Sequence, residues 1–341
     1  VVVNFIVLMM ANKKVFKQKW FIITSILFSG LIVWTIYDYF YHPVHSNEYL
    51  LITSNEHNWP EDNIFAISPD GSRIKRVVTG FDPSCSPDGR RIAFAAPVGV
   101  SIPLERDWQT GVVTGRRAYT QIFVMDASGF NATQLTFDES YNNSPSWSPD
   151  GQYLAFDGFR NVAVINLKSK EITYPIKQEL TAMAPSWSPD GQRLIVLAYT
   201  AKDHLERGLY IANVDGTNMT RLTSGYDRDP NWSPDGNKIV FLHSETVFDP
   251  TSIRVINIDG SNPVDILPPT KNFEIHSPKW SPDGKRIAFR EPGDGVFIIN
   301  ADGTGLTNIK PAQKTWGVDG GGIIPLMRSV FYTNIDWCKV R

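Results

Sequence analysis

At 341 residues the chain exceeds what one hydrophobic core usually supports, so two domains or one repeated architecture is expected. Hydrophobic residues at 42% and charged residues at 20% exclude a disordered chain. Lys plus Arg is 33 against 35 for Asp plus Glu, and this balance argues against nucleic acid as the main partner.

The first predicted element is a membrane helix. Residues 20–37 read WFIITSILFSGLIVWTIY, without a charge, and as a helix they would reach about 27 Å, close to the thickness of a hydrocarbon core. Trp20 at one end and Trp34, Tyr37, Tyr39 and Tyr41 near the other match interfacial aromatic belts. Lys13, Lys14, Lys17 and Lys19 precede the run, and no Lys or Arg follows until Arg73. That asymmetry predicts a cytoplasmic segment 1–19, a single-pass signal anchor 20–37, a linker 38–47, and a domain 48–341 outside the cytoplasmic membrane, in the periplasm or at the cell surface. A cleaved signal peptide would need a small-residue site, which Tyr37-Asp38-Tyr39-Phe40-Tyr41 does not offer. Met10-Ala11-Asn12-Lys13-Lys14 reads as the natural start of the protein.

Beyond the linker the chain repeats itself. Ser-Pro-Asp-Gly recurs six times, and five copies share a longer pattern: SCSPDGRRIAF (84–94), SWSPDGQYLAF (146–156), SWSPDGQRLIV (186–196), NWSPDGNKIVF (231–241) and KWSPDGKRIAF (279–289). Their starts are 62, 40, 45 and 48 residues apart. Pro fixes φ at the first turn position, Asp bonds the backbone ahead of it, and Gly supplies positive φ, so each copy is a hairpin with strands on both sides. A second hairpin lies between these units at 64–78, 122–136, 162–176, 209–223, 253–267 and 296–309. Two hairpins per period make four strands, which is a propeller blade. Tyr49–Thr53 supplies a second strand for the first blade but no first one; the segment 330–337, ending at Trp337, supplies it and closes the ring. The expectation is an all-β, six-bladed propeller of four-stranded blades, with Cys85, Trp147, Trp187, Trp232, Trp280 and Trp337 at equivalent positions.

The tryptophan-Ser-Pro-Asp-Gly stretch followed by Ile-Ala-Phe resembles the TolB-type, WD-like propeller repeat, over about residues 48–341. The resemblance implies the propeller fold; it also implies a periplasmic setting with lipoprotein and Tol-protein partners for TolB itself. Similar blades belong to prolyl-oligopeptidase-like hydrolases and to some pectate-degrading lyases. The small α/β domain that precedes the TolB propeller and the hydrolase domain of the peptidases find no counterpart in these residues, so TolB's partners are not expected to carry over.

Asp88, Asp150, Asp190, Asp235 and Asp283 occur once per blade; they read as holding their own turns rather than as a metal-binding ring. The tryptophans read as packing between blades. Cys85 and Cys338 have no metal-ligand spacing; one disulfide is permitted in an oxidising compartment, but their non-equivalent positions on neighbouring blades point to no native bridge. No nucleophile elbow, zinc-protease helix or phosphate loop is present, no cofactor is expected, and a non-enzymatic role is favoured. The long connections, 54–62, 97–120, 199–207, 243–251, 268–276 and 311–329, emerge on one face, carrying Trp59, Arg106, Trp108, Arg116, Arg117, Tyr141, Tyr226 and Arg228 there or beside them. Aromatic and arginine side chains on loops of a rigid scaffold make a binding surface. The expectation is a membrane-anchored, monomeric scaffold that binds a protein, peptide or glycan through that face. The alternative is a metal-assisted hydrolase or polysaccharide lyase in the central funnel, with His204, His243 and His276 as ligands.

Overall fold

The computed structural model describes residues 48–54, 62–98, 105–106, 113–114, 119–158, 161–176, 179–200, 207–246, 248–269, 275–291, 295–309 and 335–339. They form six four-stranded antiparallel sheets and one additional two-stranded ribbon, Glu105–Arg106 with Val113–Thr114. The predicted helix 20–37 lies outside the described residues, and among those no helix is long and apolar enough to cross a membrane.

Each blade is a meander. Blade three runs Asn143–Trp147, Tyr153–Gly158, Asn161–Asn166 and Ile172–Thr173, and blades two, four, five and six repeat the pattern from Phe81, Leu180, Arg228 and His276. Blade one is completed from the far end of the chain: Ile335–Lys339 pairs with Glu48–Ser54, setting Trp337 opposite Leu50. The first strand of every blade touches that of the next, around to where Ile335–Lys339 meets both Phe81–Cys85 and His276–Trp280. The ring is therefore closed, and only the short outer strand of each blade keeps a free edge. The core lies between blades: Trp147 and Phe156 of blade three pack with Phe81, Ala95 and Ile122 of blade two, and Trp280 and Phe289 of blade six with Leu242 and Ile253 of blade five.

The predicted turn chemistry is realised six times. In every Ser-Pro-Asp-Gly turn the Ser hydroxyl donates to the Asp carboxylate at 2.5–2.6 Å, and that carboxylate accepts the backbone N–H two residues on at 2.9–3.1 Å. The Gly φ values fall between 68° and 73°. The repeated aspartates are thus turn-holders, as their spacing implied. The tryptophans face the preceding blade: Trp147 donates to the Ser84 carbonyl, and Arg91, Arg193 and Arg286 lie 4.5, 5.0 and 4.8 Å over Trp147, Trp232 and Trp337.

The cysteine expectation is corrected, because Cys85 and Cys338 are joined in a disulfide with Cα atoms 5.7 Å apart. The offset that argued against a bridge is what permits it. Alternate residues of a strand face opposite ways. Cys85 occupies the tryptophan position that faces back to blade one, whereas Cys338, one step past Trp337, faces forward to blade two.

Candidate functional site

Connections within the two hairpins of a blade lie on one face of the propeller; those from second to third strand, and from blade to blade, lie on the other. This alternation follows from the meander. Two clusters beyond the turns carry chemistry.

The first lines the axis. Each first strand of blades two to six has a bulge three residues before the tryptophan position, where Asp82, Ser144, Ala184, Asp229 and Ser277 adopt φ of 49–54° and the next residue is Pro. A bulge leaves a backbone N–H outside the ladder, and a buried N–H needs an acceptor. Carboxylates of the preceding blade supply it: Ser144 N–H donates to Asp82 at 3.0 Å, Ala184 N–H to Asp157 at 2.6 Å and Ser277 N–H to Asp229 at 3.1 Å. Asp336 accepts from Cys85 N–H at 2.7 Å. Burial pushes the Asp157 carboxyl up to about 8 and that of Asp82 up to about 6, against the pull of these hydrogen bonds. Asp82, Asp157 and Asp229 repel one another, and Lys279 offsets part of the charge on Asp82 and Asp336. These residues carry no signal in the Ser-Pro-Asp-Gly repeat. Asp82 and Asp229 lie beside a second mark, Pro two residues before the tryptophan position, at Pro83, Pro145, Pro185, Pro230 and Pro278, whereas Asp157 and Asp336 carry none.

The second cluster sits at the junction of blades four and five on the long-connection face, where two expected binding residues and one expected metal ligand meet. The Arg207 guanidinium lies 5.9 Å from the Tyr199 ring and 5.3 Å from the Tyr226 ring. Tyr226 N–H is bonded to the Ser244 carbonyl, and Arg228 reaches the Thr251 hydroxyl at 3.4 Å. Between them Asp227 turns inward, buried, to His243 Nδ1 at 2.6 Å; burial raises its carboxyl above the usual range, opposed by bonds from Thr223 and His243. His243 Nε2 faces the exposed Glu245 carboxylate at 3.3 Å. Arg207 and Tyr199 were not among the expected site residues; both lie inside or at the edge of the connection 199–207.

Tyr141 stands apart, at the junction of blades two and three, half exposed and edge-on to Tyr119 at 6.5 Å. Arg106 lies in the two-stranded ribbon. Trp59, Trp108, Arg116, Arg117 and His204 lie outside the described residues. His276 opens the first strand of blade six, paired with Arg290. Among the described residues the one close trio of metal-type ligands is Cys85, Asp336 and Cys338, whose sulfurs are joined to each other.

A closed ring of six four-stranded blades carrying an aromatic and arginine cluster on its long-connection face defines a six-bladed β-propeller with a candidate binding face. The model of the TolB beta propeller domain matches residues 109–308, more than half of the chain, and the chain belongs to that family. TolB from Acinetobacter baumannii superposes with a TM-score of 0.61 at 19% identity, over 85% of this chain and 66% of that one. A putative TolB from Agrobacterium tumefaciens gives 0.50 at 21% identity, over 70% of this chain and 95% of that one. An oligogalacturonate lyase solved with manganese gives 0.48 at 15% identity, over 76% and 73%. At these identities the likeness is one of fold. No curated protein matches the sequence.

Proposed function

We propose that this TolB-family propeller is a non-catalytic scaffold, tethered outside the cytoplasmic membrane by residues 20–37, that binds a partner through its long-connection face. The observation that carries the reading is the approach of Arg207 to both Tyr199 and Tyr226 on that face, with Arg228 two residues further on. Rigid blades with side chains committed to turns and inter-blade packing leave recognition to the connections. The tether rests on the uncharged run and on the lysines that precede it. The disulfide supports an oxidising compartment, which agrees with a domain outside the cytoplasm.

The test is to shorten the connection between Val98 and Tyr119 in the full-length protein, leaving both strands intact. A pull-down from the cell envelope should lose its partner while the melting temperature stays unchanged. A shortened protein that melts like the parent and retains every partner contradicts the reading.

A further inference from the structure

Building on the binding role proposed above, we infer that the junction of blades four and five is a carboxylate-recognition site, in which Arg207 lies over Tyr226 and Arg228 follows two residues on, and that its ligand is an acidic peptide segment of a protein partner. Several of the described arginines are committed. Arg254 makes two bonds to Asp265 at 2.7 and 3.0 Å, Arg286 bonds Glu48 at 3.0 Å, and Arg221 caps the carbonyls of Arg207 and Thr223. The Nε of Arg207 is buried without a hydrogen-bond partner, and among the described residues no carboxylate pairs with its guanidinium. The two tyrosine rings lie against the guanidinium, and its terminal nitrogens, unlike Nε, are not enclosed. That is the preorganised fork that carboxylates accept in bidentate fashion.

Arg228 adds a second guanidinium two residues beyond Tyr226, held only by a long bond to a hydroxyl. The intervening Asp227 directs its buried carboxylate to His243 rather than to either arginine, and the Glu245 carboxylate also lies beside His243 Nε2. The chain as a whole carries a net charge of −2, so attraction for an anion here is local. Between anionic ligands, the geometry favours a peptide over a sugar. A pyranose is recognised by stacking on an open aromatic face, and Tyr199 and Tyr226 both turn a face to Arg207. Recognition is left to charge and hydrogen bonds, which aspartate and glutamate side chains satisfy.

The probe is a fluorescently labelled hexaglutamate peptide, followed by anisotropy with the full-length protein in detergent at 50 mM NaCl. Saturable binding is expected, weakened about tenfold by R207K, which keeps the charge and loses the fork, and by R228Q, and lost at 0.5 M NaCl. Melting temperatures measured alongside verify that both variants are folded. Unchanged affinity in folded R207K and R228Q overturns the inference. So does a protein that ignores the peptide but binds trigalacturonate through Arg207, an anionic sugar then being the ligand. If shortening the connection between Val98 and Tyr119 abolishes partner capture while R207K does not, the binding face stands and this inference falls; if neither change matters, both fall.

Discussion

Asp82, Asp157 and Asp336 are carboxylic acids that folding makes weaker acids, the first two rising to about 6 and about 8. A group whose pKa rises on folding binds its proton more tightly in the native state. Its stabilising contribution is therefore complete below the ordinary carboxylate range, near 4, and is lost as pH climbs through the folded values. The propeller should melt at progressively lower temperature between pH 5 and pH 9. D157N keeps an oxygen for the Ala184 N–H and removes the titration, so its melting temperature should vary less over that range and exceed the parent's at pH 9 by at least about 3 °C. Differential scanning fluorimetry across pH decides this; parallel curves for parent and variant would show that the Asp157 proton does not matter. The turn aspartates behave oppositely. Their Ser and backbone hydrogen bonds hold Asp70 and Asp235 below the usual range, so they favour the fold except in acid.

At the scale of the strand, the propeller depends on Ile335–Lys339, which completes blade one and joins blade two through Cys85–Cys338, 253 residues apart in sequence. A cross-link enclosing so long a loop acts mainly on the unfolded chain and contributes about 2–4 kcal/mol. C85S/C338S, or the parent protein under reductant, should melt several degrees lower with unchanged strand content by circular dichroism. Equal melting with and without reductant would assign closure to Trp337 packing and the Leu50–Trp337 register alone. The strands themselves were legible because nearly every hairpin turn announces itself in Asp and Gly, the turn within 162–176 excepted. The bridge was not, since its formation depends on which way Cys338 faces once Trp337 has faced the other, and alternation between neighbouring blades has no local signature. The axial carboxylates were hidden for a related reason: Asp157 comes from a second strand and serves Ala184 of the next blade, a partnership that only the closed ring creates.

For the whole molecule, the blade count, the composition of each blade and closure by the C-terminal strand were all readable from periodicity, because a propeller is one motif repeated. The binding face was readable only in part. Meander topology puts Tyr226 and Arg228 on the long-connection side, but the unpaired Arg207 between two tyrosines depends on contacts across a blade junction. The most direct test of a binding face on that side is a photo-crosslinking amino acid placed in the full-length protein in its own cells, at position 226 on one face or at position 237, just after a Ser-Pro-Asp-Gly turn, on the other. The account predicts a discrete partner adduct from position 226 and none from position 237. Adducts from position 237 alone, or equal adducts from both, would contradict it.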